Sequence, residues 1–181
     1  MRDLGKFAIQ IPARGGSKRV KSKNLRFIAG KPLIQHTIET AKELGIHDIY
    51  VNSDSKEILK LAENTGAKTY LRSEHLASDE ATGDEFTYDF IKNMDIDTCL
   101  MLSPVCPLIR PDTIRKAIDI YKNGSFDTLI SCEEIKMQAF FEDKAVNIDS
   151  EKKLQPTQNN KPVKVLNWAI TIWDSKKFIK H

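Results

Sequence analysis

The chain has 181 residues, enough for one domain with a sizeable core, and 28 Lys+Arg against 25 Asp+Glu leave it at net +3. Its 40% hydrophobic and 29% charged content is ordinary for a water-soluble globular protein, and no apolar run approaches the ~20 residues of a membrane span. Three cysteines (Cys99, Cys106, Cys132) show neither metal spacing nor an even-numbered framework, and the amino terminus lacks a signal-peptide core, so a reduced, cytoplasmic setting is expected.

Lys6 to Ile11 is apolar enough for a strand buried on both faces. A helix opens at Pro32, with Leu33, Ile34, Thr37, Ile38, Ala41 and Leu44 at helical spacing, and Gly45 stops it. His36 on this helix reads as a polar or packing residue. Asp48 to Asn52 is the second strand. Ser53-Asp54-Ser55 then caps a second helix, with Glu57 in capping-box register to Asp54 and a stop at Gly66. Thr69 to Leu71 is a short third strand, Arg72 to Gly83 a polar loop, and Asp84 to Met94 a helix.

Thr98 to Leu102 is the most continuously apolar strand and is expected at the centre of the sheet. A helix over Pro111 to Tyr121 and a strand over Asp127 to Cys132 follow. Residues 133–162 break the rhythm and read as an excursion, a hairpin or arm of the kind that meets a second subunit. Val163 to Trp173 returns as one or two strands, and Asp174 caps a short final helix. The alternation implies an α/β fold, a mainly parallel sheet with helices on both sides, in one domain spanning 1–181.

The first loop is unusual. Ile11 to Lys31 holds seven cations (Arg14, Lys18, Arg19, Lys21, Lys23, Arg26, Lys31) and no carboxylate. Without them the rest of the chain has 21 basic against 25 acidic residues, so the basicity is local. Gly15-Gly16 lets main-chain N–H groups approach a ligand closely. A Gly-rich, Lys-rich loop on the carboxyl end of a first strand suits a polyphosphate, although a solvated basic loop or a nucleic-acid patch has the same composition. The absence of interleaved aromatics between Arg14 and Arg26 ranks nucleic acid last. Neither G-x-G-x-x-G nor G-x-x-x-x-G-K-[ST] is present, which argues against a dinucleotide oxidoreductase and a P-loop NTPase. In open α/β sheets ligands bind beyond the carboxyl ends of the strands, so the Arg14, Ser53-Asp54, Arg72 and Ser103 loops should share one edge.

Taken in order, IPARGGSKRVKSKNLRFIAGKPLIQHTIETA, VNSDSKEI, LRSEHLASDEAT, MLSPVCPL and NWAI resemble the sugar-acid cytidylyltransferases, most closely the N-acylneuraminate (CMP-sialic acid) cytidylyltransferase group. The resemblance implies a Rossmann-like three-layer nucleotidyltransferase fold with a protruding arm, a homodimer, and a role in cell-surface glycan biosynthesis. It implies transfer of CMP from CTP to the anomeric hydroxyl of a 2-keto sugar acid (a sialic acid or related nonulosonate), with Mg²⁺ assisting and no nucleic-acid or membrane partner. By the same resemblance Arg14, Lys18 and Lys23 are catalytic, holding phosphates beside Ala13, Gly15, Gly16, Ser17 and Asn24. Arg72, Ala81 and Thr82 match positions that meet cytosine and ribose, and Ser103 and Asn167 match positions by the sugar acid. Considered singly, Arg72 also reads as a surface ion pair with Glu74 and Thr82 as a helix cap.

The pattern departs at Ser103, where the group carries Gln, at Val105-Cys106, at Ile109, at Trp168 in place of a glycine, and at Thr171. The family's metal-binding Asp pair has no counterpart before His181, so no Mg²⁺ ligand is assigned and a missing or shortened C-terminal segment is expected. Asp54, Asp79 and Asp84 read as capping and surface residues. A nucleotide-binding relative impaired in catalysis is the alternative function.

Overall fold

The computed structural model describes residues 1–149 and 153–180. It divides into two compact units, Met1–Leu129 with Ala169 onward, and Ile130–Trp168. No described helix is long and apolar enough to cross a membrane.

In chain order the first unit contains β1 (Phe7–Pro12), β2 (Phe27–Ile28), β3 (Lys31–Pro32), α1 (Leu33–Lys42), β4 (Ile49–Ser53), α2 (Lys56–Asn64), β5 (Lys68–Leu71), α3 (Gly83–Met94), β6 (Thr98–Leu102) and α4 (Pro111–Asn123). Strand β7 (Thr128–Ile135) leaves it. Strands β8 (Phe140–Phe141) and β9 (Lys144–Ala145) belong to the second unit, β10 (Val163–Asp174) returns, and α5 (Ser175–Phe178) ends the fold.

The sheet runs β5-β4-β1-β6-β10-β7. Strand β1 pairs in parallel with β4 (Ile9 opposite Ile49) and with β6 (Ile9 opposite Leu100); β4 pairs in parallel with β5, and β10 is antiparallel to β6. Side chains alternate across these strands. Ile9, Ile11, Ile49, Val51, Leu100, Leu102, Ile170 and Ile172 face α1, α2 and α4, whereas Ala8, Tyr50, Cys99, Met101 and Trp173 pack with Phe90 and Ile91 of α3. Both faces of the central strands are therefore dry, as their uninterrupted apolar runs require. The mainly parallel sheet between two helix layers matches the expected fold class.

Most expected elements stand where the sequence places them, and β6 has its expected ends. Three differ. The cap of α2 is Ser55, whose side chain accepts from the Ile58 N–H at 3.4 Å, and Asp54 is used elsewhere. The basic loop contains a small hairpin, β2–β3, turned by Ala29 and Gly30 with φ of 47° and 82°. His36 fastens it through a 2.8 Å bond between its ring and the Ile28 carbonyl. Strand β7 continues to Ile135, past the expected end at Cys132.

Helix α3 is held at its start by a capping box between Thr82 and Glu85, and Asp84 lies in its first turn. The Thr82 backbone N–H, then its hydroxyl, holds the Glu85 carboxyl below its ordinary 4.5. A depressed carboxyl stabilises the fold above its unfolded value and loses that contribution as pH falls through the folded one. Glu85→Gln should therefore melt below wild type at pH 7, with the gap narrowing as the pH is lowered below the ordinary glutamate range; a gap constant with pH would show that the carboxylate contributes nothing.

In the second unit Asn147 joins three segments: its amide donates to the Met137 and Lys161 carbonyls at 2.9 Å each, and its oxygen accepts from the Ala139 N–H at 2.9 Å. The β8–β9 hairpin turns at Glu142, with φ of 49°. Trp168 has a φ of 54° and is half-exposed. A left-handed backbone costs a bulky residue about 1–2 kcal/mol, against the 0.4–1 kcal/mol of chain entropy that glycine adds. Trp168→Gly is accordingly expected to raise the midpoint in a urea melt slightly, and a lowered midpoint would mean that the indole's packing outweighs the strain.

Candidate active site

The carboxyl ends of β1, β4 and β5 are stitched together by the turn Asn52-Ser53-Asp54. The Ala13 N–H donates to the Asn52 carbonyl at 2.9 Å, the Arg72 N–H donates to the Ser53 carbonyl at 2.9 Å, and the Gly15 N–H donates to the Asp54 carboxylate at 2.9 Å. The capping and surface reading of Asp54 is thus replaced by a tether on the basic loop. Gly15 is required for space rather than for an unusual φ, because a Cβ there would stand 3.0 Å from the Ser55 Cβ. Nothing lies within 4 Å of the corresponding point at Gly16. Beyond the tether the loop turns through a 3.0 Å bond from the Ser17 N–H to the Gly15 carbonyl. It then ends in the 3₁₀ turn Lys23–Leu25. Asn24 closes it, donating to the Arg14 carbonyl at 3.2 Å.

Two cavities flank this loop. One, of about 280 Å³, is lined by Arg14, Ser17, Lys18, Lys23, Asn24 and Ser103 among others. The other, of about 470 Å³, is lined by Gly15, Gly16, Lys21 and Ser78-Asp79, and Arg14, Ser17 and Lys18 border it as well. The cations are not equivalent. Arg14 pairs with Asp79 at 3.0 Å and donates to the Ser78 carbonyl at 3.0 Å, and Lys18 pairs with the same Asp79. Lys18, then Arg14, holds the Asp79 carboxyl below its ordinary range. Arg14 and Asp79 are half-exposed and Lys18 is largely exposed, a setting in which an ion pair contributes little and yields readily to a stronger anion. Lys23 is half-buried and its ammonium pairs with no described residue. Beside it the Asn24 side-chain oxygen is buried without a partner among the described residues.

Arg72 is buried and makes no ion pair with Glu74. Its Nε donates to the Asn52 side-chain oxygen at 2.7 Å, and its guanidinium lies 4.0 Å over the Phe86 ring. Burial lowers its pKa to about 10, so it stays charged throughout the neutral range. Three further expected positions have partners within the chain. Ala81 donates its N–H to the Ser78 hydroxyl at 3.2 Å, and the Thr82 hydroxyl is engaged with Glu85 in the cap. Asn167 belongs to the second unit, where its side-chain oxygen accepts from Ser131 at 2.6 Å. Sequence reasoning missed Asn52 and the tethering role of Asp54. An Asn ending an apolar strand was the available signal for the first.

The carboxylates at this edge do not fit a resident metal ion. Asp54 is occupied by Gly15 and Asp79 by two cations, and the described residues hold no group of three or more potential ligands.

Comparison with known proteins follows the same lines. A family model described as cytidylyltransferase matches residues 8–177. The CMP-N,N'-diacetyllegionaminic acid synthase of Legionella pneumophila is 35% identical over 94% of this chain and 79% of its own length. The N-acylneuraminate cytidylyltransferase of Streptococcus agalactiae is 31% identical over 94% of this chain, which spans only 44% of that relative. In fold, the chain is similar to a CMP:2-keto-3-deoxy-manno-octonic acid synthetase complexed with CTP, with a TM-score of 0.73 at 20% identity, over 96% of this chain and 76% of the other. The chain belongs to the cytidylyltransferase family.

Proposed function

We infer that this chain transfers CMP from CTP to the anomeric hydroxyl of a 2-keto sugar acid of the nonulosonate type. In this reaction the hydroxyl oxygen bonds to the α-phosphorus, the bond from that phosphorus to the bridging oxygen breaks, pyrophosphate leaves, and the hydroxyl proton passes to solvent. Such a step needs positioning and charge stabilisation more than covalent help from the protein. The observation that carries the reading is Lys23, unpaired among the described residues, beside Arg14 and Lys18 in one cavity. Lys23 meets the triphosphate directly, Arg14 and Lys18 exchange Asp79 for phosphate oxygens, and Arg72 meets the base. Ser103 borders the same cavity and is assigned to the sugar acid. The named legionaminic and acylneuraminate relatives support this acceptor class.

The test is pyrophosphate release with CTP, Mg²⁺ and a panel of sialic, legionaminic, pseudaminic and 3-deoxy-octulosonic acids. Release with one of them supports the reading. Tight CTP binding without release would instead favour a nucleotide-binding relative impaired in catalysis, a reading motivated by the carboxylates' poor fit to a metal. Binding to oligonucleotides with a steep salt dependence and no competition from CTP would overturn both.

Gly15 and Gly16 offer a second test. Gly15→Ala should raise the KM for CTP several-fold by pushing the loop off Ser55, whereas Gly16→Ala, with open space, should leave stability unchanged. Equal behaviour of the two variants would contradict the tether. Homodimerisation is assigned to the second unit, supported by its exposed Met137, Phe140, Phe141, Leu154 and Leu166. Light scattering at a monomer mass would remove that assignment. The free thiols support a reducing, cytoplasmic setting.

A further inference from the structure

Among the described residues Arg72 is the only charged side chain that is buried, at 4% exposure. A buried charge persists only where its donors are satisfied and its orientation is fixed. Here no carboxylate does this. Asn52 takes the Nε–Nη2 edge of the guanidinium with two acceptors: its side-chain oxygen accepts from Nε at 2.7 Å and its main-chain carbonyl accepts from Nη2 at 3.0 Å. The Phe86 ring supports the flat face at 4.0 Å, and the Asn52 amide donates to the Phe86 carbonyl at 3.3 Å. Ring and anchor are therefore held to each other as well as to Arg72. Nη1 makes no hydrogen bond to any described residue and is not among the buried atoms left unpaired. That same Asn52 carbonyl also accepts the Ala13 N–H at 2.9 Å, at the root of the basic loop.

We propose that Asn52 is a positioning residue for nucleotide recognition, locking the Arg72 guanidinium onto Phe86 so that its remaining edge meets the carbonyl edge of the pyrimidine. This rests on the reading that Arg72 meets the base, and it adds the residue that makes a long, otherwise mobile cation present one donor edge. Arginine's rigid planar fork gains from such anchoring because one fixed edge and a ring beneath the plane determine where the Nη1 side points. Through the shared carbonyl, the phosphate-binding loop and the base-reading cation are also registered on one residue.

The test is a double-mutant cycle read by titration calorimetry of CTP. Arg72→Lys and Asn52→Leu should each weaken CTP binding roughly tenfold, as loss of a charge-assisted hydrogen bond does. Placed in the Arg72→Lys background, Asn52→Leu should change affinity by less than about twofold, because two residues acting as one unit are not additive. Asn52→Asp, which keeps an acceptor for Nε but loses the donor to the Phe86 carbonyl, should recover only part of what Asn52→Leu loses. A thermal melt accompanies each variant, and Asn52→Ala takes the place of Asn52→Leu should the latter not fold. If Arg72→Lys binds CTP normally, the base reading fails and this inference with it. If Arg72→Lys binds weakly while Asn52→Leu binds normally, or the two losses simply multiply, the base reading stands and the positioning role is overturned.

Discussion

Replacing Lys23 with alanine is expected to weaken CTP binding by roughly ten- to a hundredfold, the ~1.5–3 kcal/mol of a hydrogen bond to a charged group, while leaving the melting temperature unchanged. The size follows from what Lys23 does in the ligand-free protein. Arg14 and Lys18 spend part of their charge on Asp79, so their loss would be offset by the release of that carboxylate. Lys23 has no such partner among the described residues, and it lines the cavity with Arg14, Lys18 and Ser103. Its removal therefore breaks nothing in the fold and takes away a full positive charge from the triphosphate. Calorimetry with CTP and a thermal melt on the same preparation check both halves. Unchanged affinity would contradict the role of the loop, and a large fall in melting temperature would make Lys23 a structural residue.

The largest stability effect is expected at Phe90, where substitution by alanine should cost ~3–5 kcal/mol. The ring is fully buried between the sheet and α3, with edge contacts to Tyr50 at 5.5 Å and Tyr70 at 5.2 Å between ring centres. Tyr70 is tied in turn to Asp89 at 2.7 Å and Asn93 at 2.8 Å, so the cavity left behind is walled by side chains that cannot easily collapse into it. Because α3 also carries Phe86 beneath Arg72, the same change should loosen CTP binding modestly through that support. Urea unfolding measures the first effect. A loss below about 1 kcal/mol would show that the two tyrosines close over the gap.

The buried elements were the legible ones. Strand β6 has no polar residue beyond Thr98 to blur its limits, and its ends coincide with the expectation. Strand β7 outruns its expected end because Glu133 and Glu134 are exposed and carry no burial pattern to read. The β2–β3 hairpin was hidden since only Gly30 marks its turn, and Ala29 adopts its positive φ without any chemical sign of it. At the site the cations were legible as a cluster, but their inequality was not. Asp79 lies more than sixty positions along the chain from Arg14 and Lys18, and only the fold brings them together. Asp54 was misread for the same reason: its local spacing to Glu57 suggests a cap, while its carboxylate reaches across to Gly15. Taken singly Arg72 read as a surface pair, with the base contact implied only by resemblance, and burial against Asn52 and Phe86 removes the surface pair.

A crystal structure with CTP bound tests the central claim most directly. The triphosphate should lie along the loop from Arg14 to Asn24, with Lys23 on a phosphate oxygen and Asp79 released from Arg14 and Lys18. A nucleotide seated away from that loop, or an Asp79 still paired with both cations while CTP is bound, would contradict it.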